Sequence, residues 1–278
     1  MKIRGFSTDM WVWGERYSRE GHHTSLKELL RDCAEAGLDA IEIEPDKENR
    51  VWAKNNGLTI SGAYLNLTLH TTDFDIEKIA MPFARKLAEA GGSDFVVNAD
   101  SKADDENDGL KTEDEIRRQG EHLSRIAAAA GKLGLKTSMH NHAAEHTHAG
   151  NDLRSVVEYA SPEVGLCIDT GWAFTAGYDP VEWIRQYPDR VFAFHLRNQM
   201  GQLPSEDLVE GQIDMRKLMG ELADLEYQGW LTLELWHPAE IRPQRTMVDD
   251  VRISVEYLRK LIREQQQSFT SKHLIQGY

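Results

Sequence analysis

Four histidines, at 140, 142, 146 and 148, crowd the stretch "SMHNHAAEHTHAG". Imidazole carries protons near neutral pH and is a frequent metal ligand, so the run is either a local metal site or one corner of a dispersed one. The two-residue period of a strand puts His140 and His142 on one face, with His146 and His148 on the loop that follows. Three later apolar runs end in groups of the same kind. "VGLCIDTG" ends in Asp169, "VFAFHLRN" in His195 with Arg197 on the same face, and "WLTLELWH" carries Glu234 among leucines and tryptophans. Taken singly, a His or Asp at a strand end is an ordinary turn or cap residue. Glu234 is harder to dismiss, because a carboxylate inside an apolar run is costly without a partner. Two histidines and two carboxylates from four consecutive runs suit one divalent ion. Mn2+, Co2+ or Zn2+ fits that donor set better than Mg2+, which favours all-oxygen shells.

Something must bring four distant runs together. The chain of 278 residues repeats one phrase: an amphipathic helix, a Gly- or Pro-marked turn, then a short apolar strand. The strand candidates lie in "KIRGFSTDMW", "EAGLDAIEIEP", "NNGLTISGAYLNL", "AGGSDFVVNAD", "KLGLKTSMHNH", "SPEVGLCIDTG", "YPDRVFAFHLR" and "YQGWLTLELWH". Ser25–Glu28 and Thr112–Glu115 read as capping boxes that open helices, and "IEKIAMPFARKLAEAGG" as a helical stretch stopped by glycines. Strand–helix alternation implies parallel strands with right-handed crossovers, and eight units of this size make a single (β/α)8 TIM barrel. The barrel is expected over residues 1–267, with a polar C-terminal tail over 268–278. "ADDENDGLKTEDE" reads as a solvated acidic loop.

Composition excludes several functions. The formal net charge is −14, and no Lys/Arg cluster stands ready to neutralise phosphates, so neither nucleic acid nor an anionic membrane surface is an expected partner. No apolar run reaches the roughly 20 residues of a spanning helix, and the N-terminus has no apolar signal core. Cys33 and Cys167 sit in apolar patterns and read as reduced core residues, which suits the cytoplasm. No Gly-x-Gly-x-x-Gly or Walker loop appears. No stretch declares an interface, so a homo-oligomer is possible without being indicated.

At its strand ends the sequence resembles the xylose isomerase-like TIM-barrel superfamily, in its sugar isomerase/epimerase branch. The resemblance is carried by "HNHAAE" at 140–145, "DTGWAFTAGYDP" at 169–180, "FHLRN" at 194–198, "GQIDMRKLMGELADLEYQGW" at 211–230 and the Glu234 strand. It implies one metal held by His140, Asp169, His195 and Glu234. Many members have glutamate where this chain has His140, and pair it with the last-strand glutamate as acid and base. That pair is incomplete here, which counts against a ketose 3-epimerase. Trp172 stands where many relatives have histidine and reads as a wall of the sugar pocket.

The implied chemistry is isomerisation or epimerisation of a small carbohydrate through an enediolate, beginning with proton removal α to a carbonyl. Glu234 is the first candidate base, with Glu145 and His142 next. Arg197 would hold a substrate oxygen, and Glu44 and His70 would bind hydroxyls. The alternative is a lyase that dehydrates an inosose or 3-keto-sugar on the same site. An endonuclease-IV-like repair enzyme is disfavoured by the net charge and by Trp172 in a ligand position. A non-catalytic sugar-binding barrel is the third reading.

Overall fold

The computed structural model describes residues 2–22, 24–102, 110–142 and 150–275. Eight strands, one in each of the apolar runs above, form one sheet: β1 Gly5–Thr8, β2 Ala40–Glu42, β3 Thr59–Leu67, β4 Asp94–Ala99, β5 Lys136–His140, β6 Val164–Asp169, β7 Val191–Leu196 and β8 Trp230–Leu233. Their order is β1-β8-β7-β6-β5-β4-β3-β2, every neighbouring pair parallel. A bridge between Asp9 and Glu42 joins the two outer strands and brings the sheet round into a nearly closed ring. With helices between the strands, the fold is a TIM barrel.

Local sequence explains the helices. Ser25 opens Leu26–Glu35 through a reciprocal cap, its N–H donating to Glu28 Oε2 at 2.8 Å. Thr112 opens Glu113–Gly131 the same way, at 2.7 Å to Glu115. The stretch 76–92 forms two helices rather than one, Ile76–Ile79 and Met81–Ala90, because Pro82 has no N–H to continue a ladder but suits a first turn. The second of these ends on Gly91, whose φ of 86° is left-handed. The last helix, Met247–Ile275, runs on past residue 267, where the sequence pattern placed the start of a polar tail.

Each helix buries its apolar stripe against the outside of the ring, as Leu29, Leu30 and Cys33 do on one helix and Leu123 and Ile126 on another. Inside the ring, Val96, Cys167 and Ala193 pack together with Tyr64 above them, a small plug beneath the mouth. Both cysteines are buried and unbridged. Among the described residues, no helix is long and apolar enough to cross a membrane.

Two ladders slip by one residue. Between β2 and β3 the pairing passes from Ile41↔Ile60 to Glu42↔Gly62, so Ser61 is extra. Between β6 and β7 it passes from Leu166↔Val191 to Cys167↔Ala193, so Phe192 is extra. Strand faces alternate residue by residue, so a slip of one exchanges inside for outside. Without it Asp169 would lie beside Phe194; with it Asp169 lies beside His195. Gly165 makes the second slip possible, because a Cβ there would stand 2.0 Å from Cγ of Phe192. Gly165→Ala is therefore expected to cost about 1–3 kcal/mol in urea denaturation. Gly131→Ala, in a helix with open space around it, serves as the control and should be neutral or stabilising by up to about 1 kcal/mol.

Candidate metal centre

Asp169 ends β6 and also starts the helix Thr170–Thr175, its Oδ1 accepting from the Trp172 N–H at 2.7 Å. The same oxygen takes two bonds from Arg197, from Nε at 3.1 Å and Nη2 at 2.9 Å. Asn141 clasps the Asp169 backbone from β5, donating to its carbonyl at 3.0 Å and accepting from its N–H at 2.8 Å. Gly171 leaves room for the guanidinium, since a Cβ there would lie 2.8 Å from Arg197 Nε. Every one of these contacts uses Oδ1 or the backbone, so Oδ2 is left over, buried and without a hydrogen-bond partner.

Of the other buried atoms without a partner among the described residues, two lie beside it: Nε2 of His140 and Nδ1 of His195. His140 Nε2 lies 3.5 Å from Asp169 Oδ2 and 3.7 Å from Glu234 Oε2. His195 Nδ1 lies 2.6 Å from Glu234 Oε2, off the line of a hydrogen bond. The four ligand-capable atoms all fall within 4.8 Å of one another, and all four residues are buried. Unpartnered buried polar atoms are rare in folded proteins, and three converging on one point with a carboxylate beside them fit a metal ion. The residues assigned from the sequence to the metal, His140, Asp169, His195 and Glu234, are thus brought together, and they could hold one.

The other nitrogen of each imidazole is occupied. Glu42 Oε1 lies 3.0 Å from His195 Nε2, both side chains buried, which makes Nε2 the protonated nitrogen and frees Nδ1 for the cluster. Tyr64 Oη lies 3.5 Å from His140 Nδ1, and its ring packs edge-on to that imidazole. The field at this point favours positive charge. Burial lowers the pKa of His140, but its contacts with Asp169 and Glu234 outweigh this and raise it. Burial likewise opposes charge on His195, while Cys167, Glu42 and Glu234 hold its pKa well above the ordinary imidazole value. Glu234 is driven the other way. Burial would raise it, yet His140, His195 and Arg197 keep it well below the usual carboxylate range.

A cavity of about 510 Å3 opens over this cluster at the C-terminal strand ends, lined by Asp9, Met10, Trp11, Glu42, Ile43, Glu44, Tyr64, Asn66, Asn98, His140, His142 and Glu234. Its volume is in the range of small-molecule sites. Of the residues the sequence offered as acid–base or hydroxyl-binding groups, His142 and Glu44 line the cavity. Burial first, and then His140, lower His142 to about 4, so it is neutral at pH 7. Trp172 stands behind it, ring centroids 4.7 Å apart. Arg197 lies behind Trp172 at 4.8 Å and is committed to Asp169. His70 is not part of the lining; it is buried near Lys111 and Glu115, against the helix Glu113–Gly131. Glu145, His146 and His148 lie outside the described residues.

Sequence reasoning missed Glu42, Asp9, Tyr64, Asn66 and Asn98. Asp9 precedes the first helix and caps it through Trp11, so its pattern is that of an ordinary N-cap. Its carboxyl is nonetheless pushed up to about 7 by burial, Glu234 and Glu42. Removing the Glu42 carboxylate should loosen the orientation of His195. Glu42→Gln is expected to weaken divalent-metal affinity about 10- to 100-fold, read by competition with a chromogenic chelator, while thermal unfolding of the metal-free protein stays cooperative.

Over residues 30–261 the chain matches the family model described as xylose isomerase-like TIM barrel. An inosose dehydratase from Geobacillus kaustophilus (strain HTA426) is 27% identical over 159 residues, 50% of this chain and 51% of that protein, so the alignment spans about half of that relative's length. A rhizopine catabolism protein, MocC, from Rhizobium meliloti is 22% identical over 77% of this chain and 75% of its own length. Among solved structures, a sugar phosphate isomerase/epimerase from Parabacteroides distasonis ATCC 8503 superposes with a TM-score of 0.69 at 20% identity, covering 91% of this chain and 92% of that one. The chain belongs to the xylose isomerase-like TIM-barrel family.

Proposed function

We propose that this protein is a carbon–oxygen lyase that removes water from a small keto-polyol, an inosose or 3-keto-sugar. One Mn2+, Co2+ or Zn2+ ion would be held by His140, Asp169, His195 and Glu234. One observation carries the choice of lyase over an epimerase, the reaction that needs a proton carrier on each face of its substrate. Glu234 follows β8, and four strands away in either direction round the ring β4 presents Asn98, an amide that cannot titrate. Where a second acid–base glutamate would stand on β5 there is His140, directed into the cluster. An epimerase must take a proton from one face of its substrate and return one to the other. The dehydratase name of the Geobacillus relative supports the same reading.

A bound divalent ion would supply Lewis acidity, polarising the ketone and offsetting charge that develops on its oxygen. Glu234, kept ionised by its imidazole neighbours, takes the proton α to the carbonyl. The electron pair of that C–H bond forms the new double bond, and the β C–O bond breaks. The departing hydroxyl takes a proton from a donor in the same cavity and leaves as water. Asp9 is placed for this, because β1 lies beside β8 and the Asp9 N–H donates to Leu233 O at 3.1 Å. Glu145, expected from the sequence as a second acid–base group, lies outside the described residues, and His142, neutral at pH 7, is suited to accept a proton rather than to give one. Arg197 acts through Asp169, fixing Oδ1 so that Oδ2 faces the cluster. Trp172 backs His142 rather than forming the cavity wall itself.

The isomerase or epimerase reading has one observation in its favour. His142 is a neutral imidazole lining the same cavity as Glu234 and could accept the proton. A panel of keto-polyols and ketoses in D2O, with each metal added in turn, separates the two. The lyase is expected to release water and generate an absorbing enone. Solvent deuterium incorporated at the α-carbon with every oxygen retained would overturn it. Glu234→Gln is expected to lower kcat by about 10²–10⁴-fold, with metal content measured on the same sample.

A further inference from the structure

The ladder between β1 and β8 sets two acid–base groups side by side. Its last register pair is Thr8↔Leu233, so the next residues along the two strands, Asp9 and Glu234, stand level. The Asp9 N–H carries the pairing one step further, donating to Leu233 O at 3.1 Å. Asp9 also keeps an extended backbone, φ −70° and ψ 126°, so the alternation of the strand still holds there. Level residues on neighbouring parallel strands turn their side chains to the same face, with backbones roughly 5 Å apart. Both of these residues line the cavity. Asp9 Oδ1 accepts from the Trp11 N–H at 2.8 Å, which fixes the carboxyl against the start of the helix Met10–Arg19 and leaves Oδ2 to carry a proton.

The opposite wall holds no such pair. From β3 and β4 the cavity is lined by Asn66, Asn98 and the Tyr64 phenol, and from β5 and the residues after it by His140 and His142. Asn98 Nδ2 donates to Asn66 Oδ1 at 2.9 Å, so the two amides are tied to each other. His140 is directed into the cluster. Among the described residues, no carboxylic acid faces the cavity from these three strands.

We infer that water is removed in the syn sense: the α C–H bond and the β C–O bond that break both point to the face of the substrate turned to β1 and β8. This rests on the lyase reading and adds its stereochemistry. Glu234 takes the α-proton, and the C–H electron pair becomes the double bond. The electron pair of the C–O bond leaves with the oxygen, which takes the proton of Asp9 and departs as water. Glu234 has then gained one proton and Asp9 has lost one, so the balance closes within the pair. A rule of substrate configuration follows. In a cyclic keto-polyol with hydroxyls on both carbons, an α-hydrogen cis to the β-hydroxyl means that the two hydroxyls are trans. An isomer with them cis turns one bond to the acid–base pair and the other to the amide wall.

A deuterium label on the substrate of the Mn2+-loaded protein tests this. The probe is a cyclic keto-polyol with one β-hydroxyl, joined to the ketone through a CHD carbon and prepared as both epimers at that carbon. Enone is collected at early conversion in H2O, and its deuterium is read by mass spectrometry beside that of the unreacted ketone. The epimer with deuterium cis to the β-hydroxyl is expected to give unlabelled enone, and the trans epimer to give enone that keeps its label. Loss of the trans label, or equal loss from both epimers, overturns the inference while water is still released, so the lyase reading survives it. If the probe does not turn over, two inososes decide, one with each α-hydroxyl trans to its β neighbour and one with each cis. The trans isomer is expected to lose water at least about a hundredfold faster, and any smaller ratio overturns the inference. Failure of every keto-polyol to lose water overturns the lyase reading and the inference with it.

Discussion

Two one-residue slips in the ladders decide how His195 comes to lie beside Asp169 and how Glu42 reaches His195. Beyond Phe192, β7 turns His195 inward beside Asp169; beyond Ser61, Glu42 comes level with Gly62 and its carboxylate reaches His195. One slip therefore supplies a metal-capable imidazole, and the other supplies the group that orients it. Bulges of this kind recur near active sites because they re-aim a side chain without changing the fold. The steric condition is local and severe: the Phe192 ring occupies the space where any residue but glycine at 165 would place its Cβ.

The cluster concentrates ionisable groups that are almost wholly buried, at the floor of the cavity. Desolvation works against every charged form there, and only mutual contacts offset it. Asp169 is settled by Arg197, Glu234 by two imidazoles, and His195 by Glu42 on its far side. What these contacts leave over are lone pairs, on Asp169 Oδ2, His140 Nε2 and His195 Nδ1, aimed at a common point. Raised imidazole pKa values express the same fact in protons, since the field that attracts a proton to His140 and His195 is the field that would attract a cation.

The ligand-capable residues were legible in the sequence because they are exceptions to a strong local pattern. A strand of period two covered on both faces leaves no ordinary place for Glu234 or Asp169. The helix starts at Ser25 and Thr112 were legible for a similar reason: a capping box closes within four residues. Glu42 was not. In "AIEIE" the period puts Glu42 and Glu44 on one face, and nothing local says that Glu42 is the one buried against His195 while Glu44 stays exposed at the rim. That depends on a slip against the next strand, which is a property of two strands and of Gly62. Asn66 and Asn98 were silent because strand-end amides are common; only their register across β3 and β4 makes them a pair. His70 lies three residues beyond the end of β3, where the strand's period no longer directs side chains.

Around the ring the cavity is divided by chemistry. Titratable groups follow β5, β8, β1 and β2 as His140, His142, Glu234, Asp9, Glu42 and Glu44, while β3 and β4 contribute Asn66, Asn98 and the Tyr64 phenol. Burial first, and then Glu234, raise the Tyr64 pKa, so it remains a neutral hydroxyl. A substrate spanning the cavity would meet proton-transfer groups on one side and hydrogen-bonding groups of fixed protonation on the other. β-Elimination of water can be completed from one side, because the α-hydrogen and the leaving hydroxyl are on adjacent carbons and Asp9 and Glu234 stand on adjacent strands. Inversion at a carbon cannot, because the proton must leave one face and arrive at the other. For the lyase we propose, His140 turned to the cluster is no obstacle, because the second proton carrier has only to be a neighbour of Glu234, not its opposite.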